Sequence, residues 1–201
     1  MTPPAARPPR NRRPILLLLL LFAAPLGFAF WLYYGSSWRP SLRTNHGTLI
    51  QPVVVLPRAA VPLAGGNGAL APDTLLTGKW SLVVIGDDTA GCGTDCRQAL
   101  IYARQTWLSL GKNLTRAQRL LLAGAGCCDA DYLAHEHAGL IALDAAAGPG
   151  AALRAAFPEP RAQAIFVVDP LGNLMMRYDV RQDPRGLRED LAKLLELSHI
   201  G

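Results

Sequence analysis

Cys92 and Cys96 have the strongest case for chemistry in this chain. They stand four apart, just after an apolar run and at the start of an amphipathic stretch. That spacing keeps both sulfurs on one side of a helical turn, with Cα atoms ~6 Å apart, within reach of a disulfide. A helix start offers free N–H groups and the positive end of the dipole, which favour a thiolate there. Two soft thiolates can also hold a soft ion such as Cu(I). The plainer alternative is a structural disulfide that pins the loop. Cys127 and Cys128 form a second pair just after a second apolar run. If the two runs are parallel neighbouring strands, Cys127 or Cys128 approaches Cys92; the alternative is an inert or merely buried pair. His135 and His137 follow, candidates for an extra imidazole ligand to a soft metal, against the ordinary role of loop histidines. His46 and His199 have no evident partners in the sequence.

The elements that must position these residues are legible from Lys79 onward. Trp80 to Ile85 is continuously apolar, as a buried parallel strand requires. Cys96, Leu100, Ala103, Trp107 and Leu110 recur at helical spacing, with Gly111 as a stop. Leu120 to Ala123 and Leu140 to Leu143 read as strands, and Gly150 to Phe157 as a short helix ended by Pro158 and Pro160. Ala164 to Val168 is a further strand. Asp169-Pro170-Leu171-Gly172 suits a type I turn, returning along Asn173 to Tyr178. Asp183 then caps a last helix with Pro184 at its first position, whose buried stripe is Leu187, Leu191, Leu194 and Leu195. The alternation of strands and helices, closed by a hairpin and a helix, predicts an α/β fold with parallel crossovers and one antiparallel pair. A thioredoxin-like domain, a mixed sheet flanked by helices, has this order.

Ahead of it, Ile15 to Tyr34 carries no charge and ends in Trp31, Tyr33 and Tyr34. Twenty helical residues span ~30 Å, about the thickness of a bilayer core, and the closing rings suit its interface. A cleaved signal peptide would have a shorter apolar core and a small-residue cleavage site. Arg7, Arg10, Arg12 and Arg13 outnumber Arg39 and Arg43 beyond the span, which keeps the N-terminus in the cytoplasm. Those four arginines also account for most of the net charge of +5; without them sixteen basic residues face fifteen acidic ones. A phosphate-neutralising groove is therefore excluded, and no nucleic-acid partner is expected. The expected organisation is a basic cytoplasmic tail over 1–14, one N-terminal transmembrane helix over 15–34, a tether with extended segments over 35–72, and the thioredoxin-like domain over 73–201.

The run Lys79 to Gly86, then Cys92-x-x-x-Cys96, then Asp169-Pro170-Leu171-Gly172 resembles the SCO/SenC family, as does an anchored domain held outside the cytoplasm. The resemblance covers roughly residues 70 to 198. It implies a membrane-anchored factor for assembly of the CuA centre of cytochrome c oxidase, with copper as cofactor and an oxidase subunit or another assembly factor as partner. It implies a bacterial inner-membrane, single-pass location with the domain in the periplasm. Cys92 and Cys96 match the family's two copper thiolates. The family's histidine, about eleven residues before the turn glycine, falls on Arg161 here, which offers only donors. Gln163 stands before the strand where thioredoxins usually carry a cis-proline. Two other readings remain open, a general extracytoplasmic thiol oxidoreductase and a redox-silent docking scaffold. A peroxiredoxin would want a proline between Gly86 and Gly91, and there is none.

Overall fold

The computed structural model describes residues 12–35, 44–65, 68–86, 91–124, 127–159, 161, 163–182 and 184–200. Arg7, Arg10, Arg39, Arg43 and Asp183 lie outside the described residues. The chain divides into two compact units, Met1–Arg43 and Thr44–Gly201. In the first, Arg13–Gly35 is a single helix, α1, which contains Pro25. Its mean hydropathy reaches 2.5 and none of it is buried, so it is long and apolar enough to cross a membrane. The predicted span falls wholly inside it.

In the second unit the elements run β1 Thr48–Val55, β2 Trp80–Ile85, α2 Thr94–Leu108, a 3₁₀ turn Gly111–Arg116, β3 Ala117–Ala123, α3 Ala130–Glu136, β4 Leu140–Asp144, α4 Gly148–Ala155, β5 Ala164–Val168, β6 Asn173–Asp179 and α5 Arg185–Leu197. The sheet order is β1-β6-β5-β2-β3-β4. β2, β3 and β4 are parallel, while β5, β6 and β1 join antiparallel to their neighbours. This is the expected α/β, thioredoxin-like mixed sheet. The segment expected as tether also contributes an edge strand, β1, with Pro52 inside an irregular stretch of its pairing to β6. Proline has no N–H for a ladder, so such a strand belongs at an edge.

β2 is buried on both faces, and its side chains alternate between two cores. Leu82 and Val84 pack with Ala99, Leu100 and Ala103 of α2 and with Leu187, Leu191 and Leu195 of α5. Val83 and Ile85 pack on the other face with Leu143, Leu153 and Phe157. Covering both faces explains why this strand reads as an unbroken apolar run.

The Asp169–Gly172 turn is closed by the Gly172 N–H donating to the Asp169 carbonyl at 3.0 Å. The Asp169 carboxylate accepts from the Leu171 and Asn173 amides. Leu171 keeps a negative φ, as a type I turn requires, and Gly172 has φ +89, which favours glycine. Several predicted boundaries shift: β3 begins at Ala117 rather than Leu120, and α4 runs Gly148–Ala155 rather than Gly150 to Phe157. α2 stops at Leu108, leaving Leu110 buried beyond the helix. At α5, Pro184 is the cap itself rather than the first helical residue.

Candidate redox and metal site

β2 delivers the chain to the mouth of the sheet, and α2 carries it back. Cys92 precedes the helix, Gly93 is the N-cap with no side-chain cap, and Cys96 lies in the first turn. Cys96 is fully buried in the α2 core, while Cys92 is half-buried at its edge. The two are joined in a disulfide with Cα atoms 5.1 Å apart, close to the separation expected of one helical turn. Arg97 donates from Nε to the Cys92 carbonyl at 3.2 Å. Asp95, also in the first turn, pairs with Arg181 at 2.7 Å.

The parallel register sets Ile85 of β2 beside Leu122 of β3, so the two strands end together. Beyond β3, Cys127 and Cys128 are disulfide-bonded to each other. Cys128 has φ +70, the left-handed region that costs a side-chain-bearing residue energy. Cys92, Arg97, Cys128, Asp129 and Tyr132 line one cavity of about 160 Å³. The strand ends thus bring the second pair beside the first.

Neither sequence-predicted histidine lines that cavity. His135 is exposed on α3. His137 is buried, edge-on to the Tyr132 ring at 5.1 Å, with its Nε2 3.0 Å from the Tyr132 hydroxyl. Burial pushes its pKa down, and the positive charges of Arg119 and Arg104 push the same way against Glu136. Among the described residues no cluster of three or more His, Cys, Asp or Glu side chains is arranged for a metal. Arg161 donates from Nε to the Phe157 carbonyl at 2.8 Å and pairs with Glu159 at 2.5 Å. Its charge is therefore met locally. The Gln163 carbonyl accepts from the Val180 amide at the start of β5.

Sequence reasoning missed α3, whose signal was Asp129 as an N-cap: its carboxylate accepts from the Asp131 amide at 2.9 Å. It also missed the partner of His46. Asp190, buried on α5, accepts from His46 Nδ1 at 3.0 Å, from the His46 and Gly47 amides at 2.7 and 3.0 Å, and from the Tyr178 hydroxyl at 2.7 Å. Burial works against the Asp190 charge. The hydrogen bonds from Tyr178, Gly47 and His46 outweigh it and hold the carboxyl below its ordinary range. Burial, then the bond to Asp190, drives the Tyr178 phenol in the opposite direction, upward. His199 is exposed.

The protein-family model described as transmembrane-like, thioredoxin-like, C-terminal domain matches residues 80–198, more than half of the chain. The chain belongs to this family. Among solved structures, this family member is similar to apo Sco1 from Thermus thermophilus, at 19% identity and TM-score 0.53, over 77% of this chain and 99% of that one. It is similar to yeast Sco1 with copper bound, at 15% identity and TM-score 0.53, over 72% of this chain and 94% of that one. A putative thioredoxin from Neisseria meningitidis is comparably similar, at 15% identity and TM-score 0.55, over 73% and 93% of the two chains. These likenesses establish a shared thioredoxin-like, Sco1-like fold. Comparison with curated protein sequences finds no match.

Proposed function

We propose that this protein is a membrane-anchored assembly factor for a respiratory oxidase. It serves the CuA centre of cytochrome c oxidase by transient Cu(I) handling or thiol–disulfide exchange at Cys92 and Cys96. The observation that carries this reading is a cysteine pair at a strand-to-helix junction, in a fold shared with a Sco1 solved with copper bound. Reduction of the disulfide gives two thiolates one helical turn apart, a donor set suited to a linear or near-linear Cu(I). Copper here is cargo. Among the described residues, no imidazole lines the cavity beside Cys92, and the family's histidine position is Arg161. Cu(II), which prefers nitrogen and oxygen ligands, is correspondingly disfavoured. His135 and His137 serve as additional ligands only if α3 and its connection to β4 move.

In this reading α1 is a single inner-membrane anchor, supported by its length and its mean hydropathy of 2.5. The arginines ahead of it hold the N-terminus in the cytoplasm, so the thioredoxin-like domain faces the periplasm. An oxidase subunit or another assembly factor is the partner. A general extracytoplasmic thiol oxidoreductase is the second reading, favoured by the disulfide-bonded state of both cysteine pairs. The test is a Cys92→Ser, Cys96→Ser double variant in cells of the source bacterium. The proposal expects loss of the CuA signal and of oxidase activity, with the variant still present in the membrane and other periplasmic disulfides intact. General loss of periplasmic disulfides would favour the second reading, and unchanged oxidase maturation would exclude the first.

A further inference from the structure

We propose that Cys127 and Cys128 are a second redox pair wired to the first, so that two electrons pass between the pairs through Cys92 and Cys128. This rests on Cys92 and Cys96 acting as an exchanging dithiol, as proposed above. Two observations bring the pairs together. Cys92 and Cys128 line the same cavity of about 160 Å³, with Arg97, Asp129 and Tyr132 as its other walls. The loops that carry them also touch. A Cβ on Gly91, the residue before Cys92, would stand 3.3 Å from the Cys127 Cα and 3.5 Å from its sulfur. Gly91 has φ +77, so the approach is made where glycine is favoured.

The chemistry balances with the groups present and a partner dithiol. That dithiol reduces the Cys92–Cys96 disulfide and is itself oxidised. The Cys92 thiolate, favoured at the start of α2, attacks the Cys128 sulfur. A Cys92–Cys128 bond forms, the Cys127–Cys128 bond breaks, and Cys127 leaves as a thiolate that takes a proton. The Cys96 thiolate then attacks the Cys92 sulfur, re-forming the Cys92–Cys96 disulfide and releasing Cys128 as a thiolate, which is protonated in turn. The net result is reduction of the Cys127–Cys128 pair by the partner's two electrons. Cys92 is suited to the exchange because it is half-buried and opens onto the cavity. Cys96 is fully buried and acts as the resolving thiol.

The test uses the full chain in detergent micelles, incubated in a glutathione redox buffer and mapped by non-reducing peptide mass spectrometry. In a Cys96→Ser, Cys127→Ser variant the Cys92–Cys128 bond is expected as the main intramolecular species. A Cys92→Ser, Cys127→Ser variant, which leaves the buried Cys96 with Cys128, should yield at least about tenfold less. A second arm avoids dependence on those variants. Reduced thioredoxin, too large to enter the cavity, should reduce the Cys127–Cys128 bond at least about tenfold more slowly in a Cys92→Ser, Cys96→Ser chain than in the unaltered one, with circular dichroism unchanged. Recovery of Cys92 and Cys128 as free thiols or glutathione adducts, or equal reduction rates in the second arm, overturns the relay. Formation of the Cys92–Cys96 disulfide in the unaltered chain, read in the same buffer, reports separately on the first pair.

Discussion

Replacing Asp190 by Ala should cost more stability than any exposed carboxylate in the domain. Asp190 is 5% exposed and accepts four hydrogen bonds, two of them from buried donors, the Tyr178 hydroxyl and the Gly47 amide. Truncation leaves both donors without a partner, at about 1–3 kcal/mol each. Some of that is recovered by water reaching the His46 side, which is half open. A net loss of about 3 kcal/mol follows, which for a unit of this size lowers Tm by roughly 6–12 °C. The effect must also depend on pH in a particular sense. The Asp190 carboxyl is held below its ordinary range when folded, so the unfolded chain takes up the proton first as pH falls. The stability it contributes is complete above the unfolded pKa of ~3.9 and is lost as pH falls through the folded value. Thermal unfolding of the full chain in detergent, followed by circular dichroism at pH 7, 5, 4 and 3, is the assay. The gap in Tm between the two proteins should be wide at pH 7 and pH 5 and narrow below pH 4. A gap under 2 °C at pH 7, or one that stays constant down to pH 3, refutes the reasoning.

Three further outcomes follow from the same geometry. In the reduced chain, iodoacetamide should label Cys92 at least about tenfold faster than Cys96, because Cys96 is fully buried and the helix start favours the Cys92 thiolate; peptide mass spectrometry at short times measures this. Gly172→Ala should destabilise by more than ~1 kcal/mol, because φ is +89 there, and urea unfolding will show whether the midpoint falls. Arg119→Met should leave Tm unchanged or raise it: Arg119 is 2% exposed, and its Nε and one terminal nitrogen have no hydrogen-bond partner among the described residues. An apolar side chain of similar length avoids that desolvation, although stacking on Trp107 at 4.6 Å and the hydrogen bond from the other terminal nitrogen to the Ala138 carbonyl at 2.6 Å are lost.

The sheet's centre was legible because its signals are local. A strand buried on both faces is an apolar run, and Trp80–Ile85 and Ala164–Val168 appear at their expected positions. The hairpin announced itself through Asp169-Pro170-Leu171-Gly172. β1 reads in the sequence only as an extended segment, because its pairing is irregular around Pro52 and its side chains are only partly buried. α3 was lost because seven residues with a mostly polar surface give no clear periodicity. The Cys92–Cys96 pair is visible from its spacing together with its place between an apolar run and an amphipathic stretch. Its approach to Cys128 followed from the parallel pairing of β2 and β3, which a sequence can only suggest. The Asp190 cluster escaped entirely. Its stripe on α5 was read from leucines, and the backbone it binds at His46 lies 144 positions away.

The central claim is that Cys92 and Cys96 handle Cu(I). Anaerobic titration of the reduced full chain with Cu(I), against a colorimetric Cu(I) chelator, tests it directly. The account predicts one strongly held Cu(I) that is lost in the Cys92→Ser, Cys96→Ser chain and retained in a His135→Ala, His137→Ala chain, with no comparable Cu(II) uptake. Cu(I) binding that survives loss of both cysteines, or a tight Cu(II) site that disappears with the two histidines, would contradict it.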